Sequence, residues 1–303
     1  DGQALLVPVD GVLYLARIDG SVTALTDGSG DALNPQVSPA GGYLSFVRGG
    51  RLQVGPLGGA TAPITPEETS DTVHWGEAEF VAQEEMDRDQ GYWWAPDERR
   101  IAVARFDEAK VGIVSRAAIG ADGTRTFAQR YPAAGTPNVE IGLYVMNPDG
   151  SGRIAVDLGP DKDIYLARVD WAKDGTRLYV QRQNRAQTRL DLLEVDPATG
   201  GSKVVLSEEA PPKAWVNLSN NYRMLADGSM IWWSERSGFG HLYHFKGGKL
   251  RQLTKGDWMV TRLVGLDEKR GVLFFQGTKD DVLAQQVYSL AYRKGGQPRR
   301  LTE

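Results

Sequence analysis

The sequence predicts an all-β fold, a β-propeller built from four-stranded antiparallel blades. Three observations carry that prediction. Long segments with a 3.6-residue apolar period are scarce, whereas short apolar runs separated by turns recur along all 303 residues. Two turn-and-strand signals interleave at irregular spacings of roughly 40–75 residues, and a period near ~40–50 with four short strands per unit marks a propeller blade. Some runs are apolar on consecutive residues, such as Ile231-Trp232-Trp233. Such strands need cover on both faces, which stacked blades provide. At ~43 residues per blade the chain holds about six to seven blades. The rival sandwich fold would show shorter, more regular turn spacing without the paired motifs.

The first signal is a turn followed by an alternating run. It reads Ser38-Pro39-Ala40-Gly41-Gly42 into Tyr43-Leu44-Ser45-Phe46-Val47, then Ala95-Pro96-Asp97-Glu98 into Ile101-Ala102-Val103-Ala104. It returns as Ala172-Lys173-Asp174-Gly175 into Leu178-Tyr179-Val180, as Ala226-Asp227-Gly228 into Met230-Ile231-Trp232-Trp233, and in degenerate form as Leu266-Asp267-Glu268-Lys269 into Val272-Leu273-Phe274-Phe275. Its Asp-Gly and Gly-Gly steps supply the positive φ that tight turns require. The second signal, a strand, a turn and a closing strand, starts at Leu13-Tyr14-Leu15, Leu143-Tyr144-Val145, Leu192-Leu193, Leu242-Tyr243 and Val287-Tyr288.

One segment breaks the pattern. Residues 77–88 contain no Gly or Pro and are rich in helix formers, so a short helical insertion is expected near 77–90. Its acidic residues are expected in the first turn, where the helix dipole favours them. A helix inside a repetitive β architecture costs regularity, and such exceptions often house function.

Composition excludes several classes of function. The formal charge of 35 − 39 = −4 gives no reason to expect a nucleic-acid partner. No apolar stretch approaches the ~18 residues of a membrane span. The absence of cysteine excludes disulfides, thiolate metal sites and thiol nucleophiles. The chain opens on Asp1 without an apolar targeting segment, which reads as a processed or cut N-terminus.

The machinery of a self-contained hydrolase is missing. No Gly-x-Ser-x-Gly nucleophile elbow occurs. His74, His241 and His244 are the only histidines. His241 and His244 sit three apart on an expected strand, so they face opposite ways and make a poor shared metal site; they read as surface or rim residues. Asp87, Asp89 and Glu98 match positions 1, 3 and 12 of a calcium loop, but Tyr92 stands where that loop needs Gly. No catalytic, metal-binding or cofactor-binding residue is therefore expected in this chain.

Glu84 and Glu85 are the chemically distinctive pair. On a helix their side chains lie about 100° apart, so both carboxylates can converge on one small ligand. Two close carboxylates repel unless a cation sits between them, and an ammonium with three N–H donors and no acceptor suits them. The plain alternative is a solvated helix face, with Glu84 pairing to Arg88 at i,i+4.

The stretch Ala78-Glu79-Phe80-Val81-Ala82-Gln83-Glu84-Glu85-Met86-Asp87-Arg88, followed by Gly91-Tyr92-Trp93-Trp94-Ala95-Pro96-Asp97, resembles a signature of the dipeptidyl peptidase IV group of the prolyl oligopeptidase family. The segment Trp215-Val216-Asn217 through Ile231-Trp232-Trp233-Ser234-Glu235-Arg236 to His241-Leu242-Tyr243 is similar to bacterial members. The resemblance implies an eight-bladed propeller capping an α/β-hydrolase domain that carries the Ser-Asp-His triad. Residues 1–303 then form a single propeller domain, an N- and C-terminally truncated piece without its hydrolase.

By the same resemblance, Glu84 and Glu85 bind the free α-amino group of an Xaa-Pro or Xaa-Ala peptide and hold its second peptide bond at the serine. An ungapped match to some members would shift the pair to Gln83-Glu84. An assisting arginine is also implied, with Arg17, Arg48 and Arg51 equally eligible. Implied partners are the peptide, the covalently linked hydrolase domain and a second copy in a homodimer; the implied compartment is the periplasm or another extracytoplasmic space. Two other functions compete. One is a scaffold propeller binding proteins through rim aromatics of the Trp93-Trp94 and Trp232-Trp233 strands. The other is a carboxylate-dependent glycosidase.

Overall fold

The computed structural model describes residues 2–303 and is almost entirely β. The first sheet is β1 (Ala4–Val9), β2 (Val12–Arg17) and β3 (Val22–Ala24); the second is β4 (Leu33–Val37), β5 (Tyr43–Arg48), β6 (Arg51–Pro56) and β7 (Ala62–Pro63). The third contains β8 (Val73–Trp75), β9 (Tyr92–Trp94), β10 (Ile101–Asp107), β13 (Glu140–Met146) and β14 (Ile154–Ala155), with the helix α1 (Phe80–Glu85) between β8 and β9. A separate hairpin, β11 (Ile113–Gly120) and β12 (Gly123–Arg130), leaves this blade after β10.

The remaining sheets are four-stranded meanders. The fourth is β15 (Ile164–Trp171), β16 (Leu178–Asn184), β17 (Arg189–Val195) and β18 (Ser202–Glu209). The fifth is β19 (Arg223–Met224), β20 (Met230–Ser234), β21 (His241–Lys246) and β22 (Lys249–Gln252). The sixth is β23 (Val260–Asp267), β24 (Val272–Gly277), β25 (Gln286–Ala291) and β26 (Arg299–Arg300). Every pairing is antiparallel between neighbours, so six blades stand within the expected six to seven.

Alternation along each central strand explains why both faces are apolar. Ile101 and Val103 of β10 pack with Val47, Leu52 and Val54 of the second blade, while Ala102 and Ala104 pack with Val169, Leu178 and Val180 of the fourth. The tryptophan pairs divide the same way. Trp94 joins the core toward the second blade and Trp93 the one toward the fourth; Trp232 faces the fourth blade and Trp233 the sixth. These rings fill the spaces between blades, so they form no aromatic rim surface for a scaffold.

The turn signal also carries a cross-blade contact. Glu98 follows Asp97 and accepts the amide of Ala40 in the preceding blade at 2.6 Å. Glu268, at the matching position of the sixth blade, accepts the amide of Ala226 at 2.8 Å and pairs with Lys173. Charge-assisted bonds to backbone amides of this kind fix neighbouring blades in register.

The helix interrupts the first strand of the third blade. β9 pairs with Ile101–Val103 and β8 with Arg105–Asp107, leaving Ala104 as the hinge opposite the gap. Ala104 donates to the carbonyl of Gly91 at 2.8 Å and accepts from the amide of Gly76 at 2.9 Å. The ladder thus stays satisfied while residues 77–90 loop out, closed at their neck by a bridge between Glu77 and Gln90. Both neck glycines are required. Gly76 has φ +78°, and a Cβ on Gly91 would lie 2.2 Å from the carbonyl oxygen of Glu77.

Candidate functional site

The insertion is built around a six-residue helix that is too short to be stable alone. Its apolar side supplies the missing stability. Ala78, Ala82 and Met86 are buried against Tyr165 of β15, with Val81 and Leu218 alongside. Its first turn is closed by Glu79, whose carboxylate accepts from the amides of Val81 at 2.6 Å and Ala82 at 3.0 Å. No acidic residue lies in the first turn itself, which corrects the sequence expectation: Glu77 falls in the neck and Glu79 is the cap. Glu is an uncommon N-cap, so no local signal marked this role.

After Met86 the chain reverses at Asp87, which adopts a left-handed φ of 50°. The Arg88 amide then donates to the carbonyl of Ala82 at 3.0 Å. This reversal turns the Arg88 side chain inward, leaving the residue only 4% exposed. Its Nη1 donates to the carbonyl of Gln90 at 2.7 Å and its guanidinium lies over the Trp93 ring, 6.0 Å from the centroid. The expected i,i+4 pair with Glu84 is not among the ion pairs of the described residues, because Arg88 is no longer on the helix.

Glu84 and Glu85 occupy the exposed end of α1, and neither carboxylate hydrogen-bonds or ion-pairs with another described residue. Glu85 lines a cavity of about 980 Å³ together with Asp87, Tyr131, Arg168, Arg185 and Trp215. A second cavity of about 560 Å³ shares Asp87, Arg168 and Asn220 with it. It is lined by residues on or beside the first strands of four blades, including Gln36, Trp93, Asp170 and Tyr222, and therefore follows the propeller axis. Phe80 of α1 meets Tyr131 edge-on at 5.3 Å, tying the helix to the base of the β11–β12 hairpin.

Buried charge surrounds the helix. Burial pushes the Glu79 carboxyl up; Arg88, the two capping amides and Arg185 oppose that rise. Burial pushes Arg88 down to about 10 against the pull of Glu79. Deeper in, burial raises Asp170, countered by the Tyr222 hydroxyl that donates to it at 2.5 Å. Arg185 stacks on Tyr165 at 5.5 Å and donates to the carbonyls of Pro132 and Thr136.

The arginines expected from the sequence lie elsewhere. Arg48 and Arg51 line a separate cavity with His74 and Glu77, and Arg17 lines none of the cavities described here. Those lining the cavity of Glu85 are Arg168, Arg185 and Arg262, none of which stood out in the sequence. His241 is not a rim residue: it is 1% exposed, with Nδ1 3.0 Å from Thr254 Oγ1 and Nε2 2.9 Å from the carbonyl oxygen of Gly256.

With that geometry in hand, comparison with known proteins decides the family. The family model of the dipeptidyl peptidase IV (DPP IV) N-terminal region matches residues 8–303. The chain belongs to this family. Dipeptidyl peptidase 4 of Arthroderma otae is 30% identical over 290 residues, and that of Trichophyton tonsurans is 29% identical over 290 residues. Each alignment covers 90% of this chain and 37% of the relative, so the chain spans little more than a third of those proteins. The crystal structure of Porphyromonas gingivalis dipeptidyl peptidase 4 superposes with a TM-score of 0.86 at 24% identity, over 99% of this chain and 44% of that one. Its likeness is one of fold, and it makes the six sheets part of a DPP IV-type propeller. No helix among the described residues is long and apolar enough to cross a membrane.

Proposed function

We propose that this chain is the non-catalytic, substrate-recognition propeller of a dipeptidyl peptidase IV-like serine exopeptidase. Glu84 and Glu85 bind the free N-terminal ammonium of Xaa-Pro or Xaa-Ala peptides. The propeller gates access to an α/β-hydrolase domain linked C-terminally in the parent protein, which works outside the cytoplasm, in the periplasm, and as a homodimer. The observation that carries this reading is the pair of unpartnered carboxylates at the end of the helix inserted in a first strand, with Glu85 on the wall of a cavity that meets the axial one. Gln83 supports choosing Glu84 and Glu85 over Gln83 and Glu84, because its amide already donates to the carbonyl of Ala78. Held by an ammonium at one end, a peptide presents a fixed bond to the nucleophile, and such positioning is a large catalytic contribution.

The test is Glu84→Gln combined with Glu85→Gln in the full-length parent, assayed on Ala-Pro-Ala and on its N-acetylated form. The unmodified protein should prefer the free amine, and that preference should fade as pH rises past the peptide amine's value of ~7.7–8.0. The double variant should lose it. Unchanged turnover of the free peptide by the double variant would show the assignment to be wrong.

A further inference from the structure

Two charged residues at the ends of the helix are buried more deeply than capping or peptide contact requires. Glu79 is 2% exposed and lines neither cavity; Arg88 is 4% exposed and reaches only the axial one. Arg88 Nε and Nη2 are shielded from solvent and have no hydrogen-bond partner among the described residues. Leaving guanidinium donors unpaired in the interior is costly. A buried charge couple is also weak evidence for stability, since well-packed apolar side chains commonly serve as well or better.

Their placement suggests another use. Glu79 immediately precedes α1 and holds its first turn through two amides. Arg88 follows the last turn, returns its amide to Ala82, and is anchored to the first strand through the Gln90 carbonyl and the Trp93 ring. The two residues therefore bracket the segment that carries Glu84 and Glu85. The apolar seat at Ala78, Ala82 and Met86 fixes one side of the helix against β15. It leaves rotation about that seat to be set by something else.

We infer that Glu79 and Arg88 are a coupled pair of positioning residues that sets the orientation of Glu84 and Glu85. The inference rests on the reading of Glu84 and Glu85 given above. The two charges are not in direct ion-pair contact, but in a low-dielectric interior their attraction persists beyond contact distance. Arg185 provides Glu79 with a second, weaker cationic neighbour from the cavity wall. If Arg88 loses its charge, Glu79 becomes a buried carboxylate with less compensation. Its cap loosens, and the carboxylates at the far end of the helix lose their fixed direction.

The experiment compares Arg88→Met, Arg88→Lys, Glu79→Gln and the double variant Glu79→Gln/Arg88→Met in the full-length parent. KM and kcat are measured on Ala-Pro-Ala, and hydrogen exchange is followed at the Val81 and Ala82 amides. Arg88→Met should raise KM about ten-fold while kcat moves less than about three-fold, the pattern of lost binding. Arg88→Lys should restore most of the affinity. The double variant should be less impaired than Arg88→Met alone, since coupled sites depart from additivity. Exchange should rise and recover in the same order.

Additive losses in the double variant, or an Arg88→Met protein with unchanged KM and exchange, would overturn the inference. The exchange readout does not depend on what Glu84 and Glu85 bind. A coupled exchange pattern beside intact amine preference in the Glu84→Gln/Glu85→Gln protein would therefore fault the functional reading and leave the coupling standing. If Arg88→Met does not fold, a double variant that does fold shows the coupling, and one that also fails to fold overturns the inference.

Discussion

The third and fifth blades solve one packing problem with opposite treatments of buried charge. In the fifth blade, Glu208 from the neighbouring β18 accepts from Trp232 Nε1 at 2.7 Å, Ser234 Oγ at 2.8 Å and Arg236 Nη2 at 2.6 Å. Those three donors converge on one carboxylate, and no insertion splits the first strand, β19. In the third blade the first strand is split, and the charges that the insertion buries are incompletely met: Arg88 keeps two shielded nitrogens without partners. A fully connected polar network stiffens a structure, whereas an unsatisfied one marks a position kept for some other reason. The difference separates the part of the propeller that holds shape from the part that presents Glu84 and Glu85.

The largest expected effect tests the structural half of this comparison. Trp232→Ala removes a ring that is 4% exposed in an inter-blade core and also deprives Glu208 of a donor. Loss of a buried aromatic costs about 3–5 kcal/mol, so the chemical-denaturation midpoint should fall sharply with little change in m. A loss below about 1 kcal/mol would mean that this core collapses around the gap and that the fifth blade is less rigid than its bonding indicates.

The two blades should also respond to pH with opposite sign. His74 ends up at the base of the insertion, where Nδ1 lies 3.4 Å from Glu77, and that carboxylate raises its pKa, helped by Glu108 and opposed by burial. A raised imidazole pKa gives stability that is full below the unfolded value of ~6.5 and lost as pH rises through the folded value. His241 in the fifth blade is lowered by burial, opposed by its contact with the Gly256 carbonyl. Its neutral form is favoured, so its contribution is present above ~6.5 and lost as pH falls through the folded value. In melting curves from pH 5 to 9, His241→Gln should flatten the acid side and His74→Gln the alkaline side. The same change in slope from both substitutions would break the contrast.

Much of this architecture was legible in the residues. The Asp-Gly and Gly-Gly turns marked where strands begin, and consecutive apolar residues such as Ile231-Trp232-Trp233 showed that both faces are covered. The insertion could be read because residues 77–88 abandon the alternating pattern. What it does internally could not. Glu79 and Arg88 look like surface charges in a run of surface charges, and their burial depends on the reversal at Asp87, on the Trp93 ring against Arg88 and on the seating of the helix against Tyr165 of another blade. The flanking Gly76 and Gly91 mark the place where the strand is forced apart, one by its positive φ and the other because a Cβ there would strike the Glu77 carbonyl. The arginines of the cavity escaped notice because they come from separate blades, and linear spacing carries no trace of their meeting.

The smallest expected effect concerns the hairpin that extends from the third blade. The β11–β12 hairpin leaves the third blade as a two-stranded ribbon, with Ile113, Ile119 and Phe127 exposed and no sheet beside it. Such ribbons are marginal alone, and their apolar residues cost little to replace when nothing packs on them. Phe127→Ser should therefore shift the stability of the isolated subunit by no more than about 0.5 kcal/mol. Dimerisation, part of the functional proposal, offers a second readout in sedimentation. A dimer that dissociates in Phe127→Ser while each subunit keeps its melting temperature assigns the ribbon to contact between copies. A large loss of subunit stability would instead show that Phe127 packs on its own blade, and would return the hairpin to the structural side of the comparison.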